Sequence, residues 1–129
     1  MKPNEVMVGD WVFFKGKPDK VSPGHIVYMR SDMYSQEYQD GTQPIPLTPE
    51  ILEKNGFEKD GLIELYNHYC GMDNRVALHD DFMSMNSRNM WNVHVDSEDY
   101  CTIANCELTY VHELQHILRL CKIDKEIVV

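Results

Sequence analysis

The residues with the clearest capacity for chemistry lie in the run YVHELQHILRL (110–120). Inside it, His112-Glu113-Leu114-Gln115-His116 sets two histidines four apart with a glutamate after the first. On a helix, positions i and i+4 share a face. Both imidazoles could then grip one zinc ion while Glu113 polarises a bound water. That is the chemistry of metal-assisted hydrolysis. Thr109 stands where it could cap such a helix.

A hydrolytic zinc also needs a third protein ligand and an open coordination position. Downstream, Asp124 and Glu126 are the nearest carboxylates, too close in sequence to return on a second helix. Arg119 and Lys122 occupy positions where one lineage of such sites carries glycine and histidine. An upstream ligand such as His94 or His79 would have to complete the set. At about 100° per residue, Tyr110, Val111, Leu114, Ile117, Leu118 and Cys121 gather on one side of the helix. His112 and His116 project from the opposite, polar side with Arg119 between them, an arrangement expected of a solvated face. The string itself arises in roughly 2% of shuffled chains of this composition, so it does not establish a site without a supporting shell. The reading favoured here has no catalytic residue, no metal ligand and no cofactor. The alternative is a zinc-dependent hydrolase using His112, Glu113 and His116.

Other candidates are less organised. Asp80 and Asp81, preceded by His79, form an acidic cluster, but neighbours on a strand point to opposite faces and do not converge. FMSMNSRNMW (82–91) places Met83, Met85 and Met90 near Phe82 and Trp91, a composition suited to an adaptable partner surface or to core filling. Cys70, Cys101, Cys106 and Cys121 include no C-x-x-C pair and sit among apolar or β-prone residues, as buried small hydrophobes do. Lys15, Lys17 and Lys20 could form a local basic patch.

The whole chain sets limits on these readings. Its net charge is −9, with 12 Lys and Arg against 21 Asp and Glu, which disfavours nonspecific nucleic-acid binding. Residues 1–30 run against this trend, with five bases against three acids, so the remaining 99 residues carry −11. The 43% hydrophobic and 26% charged fractions are ordinary for a folded chain, and 129 residues suffice for one domain with a real core. No apolar run approaches the roughly 20 residues that span a bilayer. MKPNEVMVGD lacks the basic start and apolar core of a signal peptide, so a cytoplasmic protein with reduced thiols is expected.

The elements that must position these residues read as α+β. VGDWVFFKGKPDKVSPGHIVYM suggests an N-terminal β-meander: WVFFK (11–15), a pairing DKVS, and HIVYM (25–29) as a third strand, resembling the start of an SH3-like barrel. Residues 31–47 lack a clear period and are expected to form a long surface loop with at most an edge strand. LTPEILEKNGF has a capping Thr48, Pro49 at the first helical position and Asn55-Gly56 as a stop, which predicts a short helix at about 49–55. Antiparallel strands are expected at 62–69, 75–80, 90–95, 100–104 and 106–109, with turns at 71–74 and 96–99. Trp91, Val93 and Val95 alternate with Asn92 and His94. A C-terminal helix is expected at about 109–122, and EIVV (126–129) as a closing strand.

PIPLTPEILEKNGF (44–57), YVHELQHILRLCKIDKEI (110–127) and the opening MKPNEVMVGDWV resemble a family of small uncharacterised proteins from gut-bacterial genomes and their prophages. The resemblance implies no activity, substrate or catalytic residue to carry over. That family's helix often reads V-H-Q-L-Q-N, which would make Glu113 and His116 particular to this chain. The expected function is therefore a cytoplasmic protein, associated with phage or mobile elements, that works through an unidentified protein partner. An apolar 82–91 segment or an unpaired EIVV edge that forms a homodimer would supply the contact. An SH3-like nucleic-acid binder using Lys15, Lys17 and Lys20 is a third possibility.

Overall fold

In a computed structural model, residues 1–60, 65–70, 74–80, 91–96 and 102–129 are described. The architecture is α+β, and the described residues hold two antiparallel sheets and four helices. The chain divides into two compact units. The first comprises 1–46 with 110–112 and 129, and the second 47–109 with 113–128. Among the described residues, no helix is long and apolar enough to cross a membrane.

The first unit begins with a turn organised by Asp10, whose fully buried carboxylate accepts from the Met7 N–H at 2.7 Å. β1 (Trp11–Phe14) and β2 (Lys17–Lys20) form a hairpin in register Phe14↔Lys17. Its two-residue loop, Lys15-Gly16, has φ of 50° and 82°, the doubly left-handed turn that matches strand twist. The third strand of the expected meander is corrected: HIVYM is helical, within α1 (Pro23–Met29). Ile26, Val27 and Tyr28 favour strand by local propensity. Ser22, however, caps the His25 N–H at 3.1 Å, Pro23 presets the first turn, and His25 and Met29, one turn apart, both face inward. Tertiary burial outweighs propensity here.

Within 31–47 the expected edge strand is present, while a helix stands where a loop was expected. The helix is α2 (Ser35–Gly41) and the strand is β3 (Thr42–Pro44), which pairs antiparallel with β1 to give sheet order β2-β1-β3. Val6, Val12, Val21 and Met29 form this unit's core, with Met1, Ile26 and Tyr38 packed against it. Pro46 bridges Tyr110, and the Val111 N–H donates to Ile45 O at 2.9 Å.

In the second unit, α3 (Pro49–Lys54) forms as expected. Thr48 caps the Ile51 N–H, and Gly56, at φ 81°, ends the helix. The Gly56 N–H reaches Glu53 O at 3.1 Å and the Phe57 N–H reaches Leu52 O at 3.0 Å, with Phe57 and Leu52 both buried. This is the paired-bond, left-handed helix stop. β4 (Glu58–Asp60), β5 (Leu65–Cys70), β6 (Asn74–Asp80), β7 (Trp91–Asp96) and β8 (Thr102–Leu108) follow as a meander, each strand hydrogen-bonded to the next. β4 was not anticipated, and the two expected strands at 100–104 and 106–109 are one. Trp91, Val93 and Val95 are buried while Asn92 and His94 are half-buried, as the alternation predicts. Val76, Ala77 and Leu78 are buried in succession, so the centre of β6 is covered on both faces. The turn residues 71–73 and 97–99 lie outside the described residues.

α4 (Val111–Leu120) is the expected C-terminal helix. It ends in the same stop as α3, with the Lys122 N–H bonded to Arg119 O and the Ile123 N–H to Leu118 O, but here the left-handed residue is Lys122, at φ 56°. A lysine there carries a Cβ strain that glycine lacks. Lys122→Gly is therefore expected to raise the unfolding free energy by about 0.5–1 kcal/mol, readable as a higher denaturant midpoint at unchanged slope.

The closing EIVV strand is corrected too. Residues 124–129 form no strand. Instead the Asn55 side chain clasps Val128, its Nδ2 donating to Val128 O at 2.7 Å and its Oδ1 accepting from the Val128 N–H at 2.8 Å. A side-chain amide thus does the work of a neighbouring strand, and Ile127 is buried beside it.

Candidate functional site

The HELQH string is helical, and the structure gives its members roles in the fold. Glu113 Oε2 accepts from the Thr109 N–H at 2.7 Å, tying the carboxylate to the chain entering α4 in the manner of a capping box. The cap at this terminus is carried by Glu113 reaching back. His112 is only 6% exposed and stacks on Tyr110 at 5.8 Å and 13°. The expectation that the polar side of this helix lies in solvent is therefore corrected for His112, and also for the buried Gln115. A flat ring can be buried against a neighbouring aromatic irrespective of its polarity, which a helical wheel does not register. His116 is half-buried and Arg119 exposed, while Val111, Leu114 and Leu118 are fully buried.

Among the described residues, no three His, Cys, Asp or Glu side chains gather as a metal-ligand set. His94 is half-buried in β7. His79 and Asp80 fall in β6 without a described side chain, and Asp81 and 82–90 lie outside the described residues. Trp91 belongs to the core and not to a partner surface: it is 4% exposed, and its Nε1–H donates to Leu47 O at 2.9 Å. Cys106 and Cys121 are free and half-buried, and burial pushes both thiols up, away from the thiolate form that nucleophilic or ligand chemistry needs. The hairpin lysines do not form a shared cation cluster. Lys15 Nζ meets Glu37 Oε1 at 2.6 Å, Lys20 Nζ sits 5.2 Å from the Trp11 ring centre, and Lys17 is exposed.

The surface feature that stands out runs from α1 through the connection at 30–34 to Tyr34, the N-cap of α2. Val27 is 65% exposed and Met33 83%, and Tyr28 and Tyr34, next to them in the chain, are exposed too. The tyrosines are not loose. Tyr28 packs edge-on against Tyr34 at 5.4 Å and stacks on Tyr38 at 4.9 Å. Tyr38 in turn contacts Phe14 at 5.0 Å and the His25 ring at 5.3 Å, and His25 meets Phe14 edge-on at 4.8 Å. Thr42 anchors this stack. Its hydroxyl donates to Tyr38 O at 2.6 Å, so its oxygen accepts from His25 Nε2 at 2.8 Å and the ring proton sits on Nε2. Exposed rings thus stand on a row of buried and half-buried ones. Aromatic rings held this way lose little entropy on being covered, as binding anchors do, and the exposed Met33 beside Tyr34 in the chain adds an adaptable apolar contact.

Sequence reading missed this surface because it took 25–29 for a strand and 31–47 for a loop. Two signals could have revealed it: the Ser22-Pro23 helix start and the Tyr34-x-x-x-Tyr38 spacing, which puts both phenols on one helical face.

No protein family, curated protein or solved structure matches the chain.

Proposed function

We propose that this protein is a non-catalytic binding module that engages a protein partner through Val27, Tyr28, Met33 and Tyr34. The observation that carries this reading is the exposure of Tyr28 and Tyr34, packed on each other and through Tyr28 on Tyr38, with exposed Val27 and Met33 next to them in the chain. Single exposed hydrophobes are commonplace, whereas a pre-ordered group is the pattern of an interaction surface. The capping role of Glu113 supports the same reading, because a carboxylate held by a backbone N–H serves the helix start. The net charge of −9 favours a protein over a nucleic acid as partner. Cys106 and Cys121, free among the described residues, suit the cytoplasm, and the resemblance noted for residues 44–57 and 110–127 would give the partner a bacterial or phage setting.

Met33→Asp and Val27→Asp place a charge on the surface without disturbing a buried group. Each is expected to leave the melting temperature within about 2 °C and to weaken partner binding at least about tenfold, near 1.4 kcal/mol. Calorimetric titration against the captured partner measures both the affinity and its loss. The zinc-hydrolase alternative makes the opposite assignment: stoichiometric zinc in purified protein, lost in His116→Ala, with the surface variants unaffected.

A further inference from the structure

We infer that Asn55-Gly56 is a site of spontaneous deamidation that the docked 124–128 segment holds shut, and that conversion of Asn55 makes undocking permanent.

The chemistry is set by the pair itself. Asn55-Gly56 is the chain's single Asn-Gly step. In such a step the backbone nitrogen of glycine, with no Cβ beside it to hinder approach, attacks the asparagine side-chain carbonyl carbon. The new N–Cγ bond closes a five-membered succinimide. The Cγ–Nδ2 bond breaks, and ammonia leaves with the proton that the glycine nitrogen gives up. Water then opens the ring at one carbonyl or the other, giving aspartate or isoaspartate. No co-reactant beyond water is needed.

Both reacting groups are restrained. Asn55 is 6% exposed, and its carboxamide is held at each end. Nδ2 donates to Ile51 O and to Val128 O, each at 2.7 Å, and Oδ1 accepts from the Val128 N–H at 2.8 Å. The nucleophile is held as well, since the Gly56 N–H is bonded to Glu53 O at 3.1 Å in the helix stop. At ψ 14° on Asn55 the Gly56 nitrogen is turned away from Cβ, so ring closure requires ψ to rotate by more than a right angle. That rotation breaks the helix stop, and the carboxamide has to turn from Val128 toward the nitrogen. Asn55 and Val128 belong to the same compact unit. Reaction therefore proceeds from a locally opened form with 124–128 undocked, at a rate that scales with the population of that form.

The product does not fit the clasp. Aspartate at this position has no Nδ2 donor and sets a carboxylate oxygen against Ile51 O and Val128 O, both acceptors. Leaving that charge buried among acceptors is costly. Isoaspartate adds a methylene to the main chain at the end of α3. Either product keeps 124–128 from re-docking, and Ile127, buried in the intact protein, loses its cover.

The test follows the full chain at mildly alkaline pH by peptide mapping, with a synthetic peptide of residues 53–58 as the unprotected reference. Conversion at Asn55 is expected to be at least about tenfold slower in the protein than in the peptide. Val128→Pro removes the N–H that Asn55 Oδ1 accepts and is expected to raise the rate at least about tenfold. Val128→Ala keeps that N–H and should match the wild type. Asn55→Asp, which carries the product, is expected to lose at least about tenfold of the exchange protection of the Val128 N–H, while β6 and β7 hold theirs. Conversion as fast in the protein as in the peptide, a slow Val128→Pro, or full protection in Asn55→Asp overturns the inference. If Val128→Pro fails to fold, the wild type in low urea decides. Deamidation and Val128 N–H exchange should then rise together, and deamidation that rises only with the opening of β6 and β7 overturns the inference.

Discussion

Trp91→Ala is expected to cost about 3–5 kcal/mol of stability, while Tyr34→Ala should fall within about 1 kcal/mol. Both are large aromatic side chains, and the difference lies in what surrounds them. Trp91 is buried at the start of β7, opposite Asp80 on one side and Leu108 on the other. Truncation leaves a cavity of indole size and removes the donor from Leu47 O, a buried acceptor in a chain segment that leads into α3. Tyr34 is exposed and contributes one edge-on contact with Tyr28. Its value is expected to appear on binding, not folding. Urea unfolding of the two variants measures the contrast. Equal costs would mean that the α1–α2 rings are part of the core and not a surface held ready.

The second large effect separates structural from metal roles within α4. Leu114→Ala is expected to lose about 2–5 kcal/mol, because Leu114 is fully buried and the helix packs through it and Leu118. His116→Ala should lose less than about 1 kcal/mol, since His116 is half-buried and its removal opens no cavity in the core. A zinc centre reverses that order. Metal binding adds its own free energy to the folded state, so His116→Ala and a chelator would each lower the melting temperature steeply. Thermal melts of the wild type with and without chelator, beside the two variants, decide between the assignments.

Much of the second unit was legible because burial there follows simple periods. Trp91, Val93 and Val95 alternate, and Thr48-Pro49 with Asn55-Gly56 bracket α3 by cap chemistry alone. The first unit was less legible for identifiable reasons. α2 buries nothing, so no apolar stripe marks it, and the helix is held by side-chain links such as Gln39 Nε2 to Met29 O. α1 is rich in β-prone residues, and its Ser22 cap is a quieter signal than Ile26-Val27-Tyr28. EIVV has the composition of a strand, yet its backbone is met by the Asn55 side chain 73 residues away. Such a link leaves no local trace. The HELQH spacing was legible as a helix face, but the burial of His112 against Tyr110 and the capping turn of Glu113 depend on neighbours that a wheel omits. The aromatic surface, in turn, emerges only when α1 and α2 are seen as helices with their rings aligned.

The most direct measurement is a quantitative capture from a lysate of the source cell with three immobilised forms: wild type, Met33→Asp and His116→Ala. One stoichiometric protein is expected on the wild type, reduced at least about tenfold by Met33→Asp and retained in full by His116→Ala. A set unchanged by Met33→Asp, a loss confined to His116→Ala, or no stoichiometric partner at all would contradict the binding role.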